Sequence, residues 1–131
     1  MPVDLFVYGT LMIPEVYQRV TGLPLRDHQR ATLQDHQRYR VAKEPYPAAV
    51  PEQGASISGL LVRRLEQATI ERIDQFEGAS YQRRATTVET ADGPRTAQFY
   101  LLRESARQLL GERPEPWSLE RFRSAALASM T

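Results

Sequence analysis

Val3-Asp4-Leu5-Phe6-Val7-Tyr8-Gly9-Thr10-Leu11 is the stretch on which the reading of the fold turns. Residues 3 to 8 are β-branched, aromatic and nearly all apolar, as in a strand covered on both faces. Gly9 ends that strand, Pro14 suits the first turn of a helix carrying Val16, Tyr17 and Val20, and Gly22-Leu23-Pro24 stops the helix. The chain is therefore expected to begin as strand, tight turn and short helix.

Working outward, residues 30 to 42 loosen into alternation, with Ala31, Leu33, Tyr39 and Val41 against polar neighbours, which predicts a strand or hairpin with one wet face. Pro45, Pro47 and Pro51 argue against a helix or a central strand, so this stretch reads as an extended loop or an edge. Residues 57 to 65 read as the next buried strand. Residues 66 to 76 read as a helix with an apolar stripe of Leu65, Ile70, Ile73 and Phe76, stopped by Gly78. Residues 81 to 89 alternate as a strand, 91 to 94 turn, and 96 to 102 return as its hairpin partner. Helices are expected around 104 to 110 and 118 to 130, the second capped by Ser118 and anchored by Trp117.

Composition bounds what such a chain can do. Its 131 residues suit one domain, 1–131, with a core that needs neither disulfide nor metal. Seventeen Lys+Arg against 16 Asp+Glu, without a run of like charge, gives no basic arm for nucleic acid and no acidic tail. Lys43 is the only lysine, so almost every cation is a guanidinium, which pairs bidentately with carboxylates. The absence of cysteine removes a thiol nucleophile and a thiolate zinc site. His28 and His36 fall short of a zinc set and read as surface residues. No Gly-x-Ser-x-Gly elbow supports a serine triad, and no apolar run is long enough to span a membrane. A cytoplasmic protein without metal or cofactor is expected.

Two places could carry chemistry. Tyr8-Gly9-Thr10-Leu11 joins a strand to a helix, where free backbone N–H groups and the positive end of a helix dipole bind anions or polarised oxygens. The plainer reading is an ordinary strand-to-helix turn, and the spacing fits neither a Walker A loop nor a dinucleotide fingerprint. Glu77 stands at a helix C-terminus, where the dipole disfavours a carboxylate, so it is not there for helix stability. A solvated surface Glu is the bland alternative. Tyr81 and Arg83 follow on one face of the next strand, with Arg84 on the other. A carboxylate raised in pKa by the helix end and lowered by an arginine would be a tuned base.

The order of these pieces is distinctive: Phe6-Val7-Tyr8-Gly9-Thr10-Leu11, then Tyr46-Pro47-Ala48-Ala49-Val50, Ser58-Gly59-Leu60-Leu61-Val62, and Ile73-Asp74-Gln75-Phe76-Glu77-Gly78 followed by Tyr81-Gln82-Arg83. Over residues 3 to 102 the chain resembles the gamma-glutamylcyclotransferase-like family, nearest its small γ-glutamylamine cyclotransferase branch. It departs from the longer branch, which has a Gly-Ser-Asn type loop, and contains no asparagine. The resemblance implies an α+β fold, mixed, with a small partly closed β-barrel and surrounding helices. It implies Glu77 as catalytic acid/base, with Tyr8, Gly9, Thr10, Leu11, Tyr46, Tyr81 and Arg83 around the substrate. The implied reaction turns a γ-glutamyl amine or peptide into 5-oxoproline and a free amine, using neither metal nor nucleotide. Recognition of the leaving amine is expected of loops 43 to 54 and 111 to 117.

Such a substrate carries its own nucleophile, the α-amine, so the protein must supply a folded substrate conformer, a proton carrier and oxyanion donors rather than a nucleophile. The competing class is a non-enzymatic module that senses a small glutamyl-type metabolite in the same pocket. A buried carboxylate counts against it, since it repels an anionic ligand unless it has a proton to handle. The sequence leaves the amine and the oligomeric state open.

Overall fold

A computed structural model describes residues 2–130. Its elements run β1 (Val3–Val7), a 3-10 turn (Thr10–Met12), α1 (Pro14–Thr21), β2 (His28–Arg40), β3 (Pro47–Leu65), α2 (Gln67–Glu77), β4 (Tyr81–Thr90), β5 (Gly93–Leu102), a 3-10 helix (Glu104–Leu110) and α3 (Leu119–Ser129). The strands close into a barrel in the order β1-β3-β2-β4-β5, with β1 returning to β5 through a parallel bridge between Leu5 and Gln98. The expected α+β barrel with surrounding helices is thus present, its ring completed by single bridges at Leu5↔Gln98 and Thr32↔Glu89.

Side-chain alternation sorts the core into two layers. Phe6 and Tyr8 of β1, Ala31 and Leu33 of β2, Ala49, Ile57 and Leu61 of β3, Val88 of β4 and Phe99 of β5 fill the barrel. Leu5 and Val7 of β1, Val50 and Val62 of β3, and Leu102 of β5 point outward against Val16 and Tyr17 of α1, Ile70 and Ile73 of α2, and Ala126 of α3. β1 is buried on both faces, which is why its sequence shows an apolar run instead of alternation.

Residues 45–51 are not the loop or edge that their prolines suggest. β3 starts at Pro47 and pairs with β2 from Arg40↔Pro47 through His28↔Val62, and Ala49 also pairs with Leu101 of β5. Backbone N–H groups two residues apart share one edge of a strand, and Ala49 N–H donates to the Tyr8 hydroxyl, away from β2. Pro47 and Pro51 share that edge, so neither proline removes a donor from the β2 ladder. Between Pro51 and Ser56 the register slips around Asp35, which adopts φ 59°. This bulge bends both strands into the barrel wall.

The remaining differences are local. Residues 104–110 wind as a 3-10 helix, and Phe76 is 40% exposed instead of completing the buried stripe of α2. His28 is exposed, whereas His36 is only partly exposed and sets its ring edge-on against Phe99, 5.2 Å between centroids. Ser118 caps α3 by accepting from Arg121 N–H at 3.3 Å. Buried Trp117 stacks on Phe122 of α3 and donates its indole N–H to Pro45 O at 2.8 Å, which ties α3 to the β2–β3 turn. None of the helices among the described residues is long and apolar enough to cross a membrane.

Candidate active site

A cavity of about 400 Å³ opens where β1 leaves the barrel, a size typical of small-molecule sites. Tyr8, Gly9, Thr10 and Leu11 form one wall, Glu77 and Tyr81 another, and Tyr46 stands at the rim. These seven candidate residues share one space. Arg83 lies outside it, in a shallower groove with Asp74 and Arg103.

The loop wall is built from the end of β1. Arg38, reaching across from β2, donates to Tyr8 O at 2.7 Å, Ser58 O at 2.9 Å and Trp117 O at 3.2 Å, and lies over the Trp117 ring. It thereby fixes the carbonyl that precedes Gly9. The N–H groups of Gly9, Thr10 and Leu11 have no hydrogen-bond partner among the described residues, an unusual state for backbone donors at this depth. Gly9 is the N-cap of the short 3-10 turn and Thr10 and Leu11 are its first residues, so the donors are the unsatisfied N–H groups that open this turn, while α1 begins only at Pro14 and its dipole does not reach them.

Gly9 has a spatial reason to be glycine. A Cβ there would sit 2.9 Å from both Cγ and Cδ of Pro47, which also lines the cavity. A proline ring cannot swing aside, so Gly9→Ala must displace the loop or the start of β3, at about 1–3 kcal/mol for overpacking. Urea unfolding should show a loss of that size, together with reduced turnover per folded molecule. A variant as stable and as active as the parent would mean that the loop and Pro47 are not tightly apposed.

The opposite wall is the end of α2. Gly78 closes this helix at φ 84°, ψ −172°, a region open essentially to glycine alone, and its N–H bonds to Asp74 O. The turn leaves Glu77 partly buried against the cavity, with no hydrogen bond or ion pair to its carboxylate among the described residues. Burial first, and the charge of Asp74 second, push its pKa from 4.5 up to about 8. No arginine pulls it back down, contrary to the expectation for Arg83.

Arg83 does reach α2, but it pairs with Asp74, Nε to Oδ1 at 2.9 Å and a second nitrogen to Oδ2 at 3.2 Å, and it also donates to Gln98. The guanidinium fork matches a carboxylate bidentately, and the acid one helical turn before Glu77 is the one within reach. Burial alone would raise Asp74, but the hydrogen bonds from Arg83 and Tyr100 outweigh it and hold its carboxyl below the usual range. Arg84 bonds to neither acid.

The buried tyrosines spend their hydroxyls on the scaffold. Tyr8 donates to Tyr100 O at 2.6 Å and accepts from Ala49 N–H at 3.2 Å, bridging the gap between β3 and β5. Tyr81 donates to Pro47 O at 3.0 Å. Tyr100, a cavity wall that the sequence reading missed, donates to Asp74 Oδ1 at 2.6 Å. All three therefore offer the cavity ring surface and limit the access of water to Glu77. Of the loops expected to read the leaving amine, the 43–46 turn contributes Glu44 and Tyr46, whereas 111–117 contributes nothing and Leu109, Ala126 and Met130 stand in its place.

A family model described as gamma-glutamyl cyclotransferase, AIG2-like, matches residues 5–119. AIG2-like protein C of Arabidopsis thaliana is 32% identical over 90 residues, covering 68% of this chain and 51% of its own length, and AIG2-like protein D of the same plant is 28% identical over 89 residues, 68% of this chain and 58% of its own. The chain spans about half the length of the curated relatives it matches. Among solved structures, an AIG2-like protein from Mus musculus superposes with a TM-score of 0.68 at 20% identity, covering 91% of this chain and 90% of its own. A protein named gamma-glutamyl cyclotransferase superposes at 0.65 with 14% identity, over 98% and 99%. At these identities the likeness concerns the fold.

Proposed function

The chain belongs to the AIG2-like gamma-glutamyl cyclotransferase family, and from that premise we propose that it cyclises a γ-glutamyl amine or γ-glutamyl peptide to 5-oxoproline, with Glu77 as the general acid/base. One observation carries this reading: a carboxylate and three backbone donors, each without a hydrogen-bond partner among the described residues, line the same cavity.

In the proposed reaction the substrate's α-amine attacks its own γ-carbonyl, forming the ring C–N bond while the bond to the leaving amine breaks. The cavity holds the chain in its folded conformer, which removes the entropic part of the barrier. Glu77 takes the proton that the attacking amine must lose and returns it to the departing nitrogen. Because burial brings its pKa to about 8, near that of an α-amine, the first transfer is close to balanced, and the second runs to the more basic departing amine. The N–H groups of Gly9 to Leu11 are the available donors for the substrate's carboxylate and for the oxyanion that develops on the γ-oxygen. No step calls for a metal, a nucleotide or a covalent intermediate on the protein. A small-molecule substrate is the proposed partner, and the cytoplasm is the proposed compartment.

The test is 5-oxoproline release by the purified chain from a panel of γ-glutamyl amines and dipeptides, with calorimetric binding run in parallel. Release from any of them supports the reading. Binding of γ-glutamyl compounds without release would replace it with a sensing module.

A further inference from the structure

The two ends of the cavity are chemically unlike. Four large hydrophobic side chains are more than a third exposed among the described residues, and three of them, Tyr46 at 38%, Phe76 at 40% and Leu109 at 37%, line this cavity. They come from the β2–β3 turn, the last turn of α2 and the 3-10 helix, and Met130 beyond α3 joins them. Scattered exposed hydrophobics need no explanation, but convergence from separate elements on one opening marks a binding surface. The charges point the same way. No Lys, Arg or His lines the cavity among the described residues, while Glu44 and Glu77 do. A leaving group that carried its own carboxylate would meet Glu44 and no cation in the outer half, and would lose its hydration without repayment.

We propose that the outer half of the cavity accepts the leaving amine, and that this amine has an uncharged apolar body, alkyl or arylalkyl, without a carboxylate. The inference rests on the cyclotransferase reading and adds its substrate class. The γ-glutamyl part lies toward Glu77 and the Gly9–Leu11 amides, and the amine's hydrocarbon passes outward between Phe76, Tyr46 and Leu109. Burying that hydrocarbon against these side chains selects it over water-seeking amines.

The test compares kcat/KM for 5-oxoproline release from four γ-glutamyl compounds: those of phenethylamine, n-butylamine, putrescine and glycine. The expected order puts phenethylamine and butylamine at least about tenfold above both putrescine and glycine, a typical discrimination for a hydrophobic pocket. Leu109→Ala, far in sequence from Glu77, should cut the preference for phenethylamine over glycine roughly tenfold, and Phe76→Ala should do the same. A preference for putrescine would assign the rim to a second ammonium held by Glu44 and would overturn the proposal. So would a preference for glycine, or a preference ratio unmoved in both variants, while leaving the cyclotransferase reading intact. Release from none of the four and from no other γ-glutamyl compound would instead remove that underlying reading, and this inference with it.

Discussion

Glu77→Gln lowers the rate of 5-oxoproline release by roughly 10²- to 10⁴-fold, the usual loss when one positioned acid/base is removed. Glutamine fills the same space and keeps one acceptor oxygen while introducing two N–H donors, but it cannot take a proton from the attacking amine. The helix end, the Gly78 turn and the tyrosine walls do not depend on the carboxylate, which bonds to nothing among the described residues. Binding of a γ-glutamyl amine should therefore survive while turnover fails. The comparison is made at equal folded concentration, checked by near-UV circular dichroism. A variant within about threefold of the parent, far short of the expected range, would remove Glu77 from the chemistry.

The same carboxylate should make the parent less stable than its glutamine variant in alkaline solution. An unfolded chain releases the Glu77 proton near pH 4.5, whereas the folded chain holds it until about pH 8. Between those values the folded state binds more protons than the unfolded one, so this group's contribution to stability falls as the pH rises and levels off above about 8. The gap of 3.5 between 4.5 and about 8, at ~1.4 kcal/mol for each pK step, sets a ceiling of about 5 kcal/mol. Urea unfolding of parent and Glu77→Gln at pH 5 and pH 9 isolates the effect, since every other titrating group is shared. Near parity is expected at pH 5, with the variant several kcal/mol more stable at pH 9, bounded by that ceiling. An equal gap at both pH values would mean that Glu77 ionises as an ordinary surface acid.

Such a cost at neutral and alkaline pH is what a proton carrier in a water-poor cavity entails. Ring surface from Tyr8, Tyr81 and Tyr100 shields the carboxylate, and each of those hydroxyls is occupied within the scaffold. Asp74 adds its charge from one helical turn away, while its own charge is held by Arg83 and Tyr100. Arg83 thus acts one step removed from Glu77.

The sequence was most legible where local chemistry decides the structure. The apolar run of β1, the Gly9 turn and the stop at Gly78 each depend on a few adjacent residues, and the structure places them as their spacing predicts. The prolines of β3 misled because a proline's effect in a sheet depends on which edge its nitrogen faces, a property of register that a sequence does not display. The bulge at Asp35 hid Arg38 in a similar way. Before it, Ala31 and Leu33 point into the barrel. After it, the inward set becomes His36 and Arg38, which pair across from Pro51 and Ala49. A strict alternation through residues 30–42 therefore puts Arg38 on the wrong face. For Arg83 the strand-face argument led to the correct helix but the wrong acid, because Asp74 and Glu77 lie three residues apart on the same side of α2. Tyr100 could have been found only through its pairing with Arg83 across the β4–β5 hairpin, a register set by the tight turn before Gly93.

The pH dependence of kcat/KM for 5-oxoproline release from one γ-glutamyl amine, measured in the parent and in Glu77→Gln, tests the central claim most directly. In the parent the rate constant should climb through two ionisations, that of Glu77, which burial brings to about 8, and that of the substrate's α-amine, and level off once both groups have lost their protons. The residual activity of Glu77→Gln should lack the first of these and keep only the ionisation of the substrate's own α-amine, which both proteins share. A limb with the same midpoint and height in both would contradict the account, because the titrating group would then be something other than Glu77.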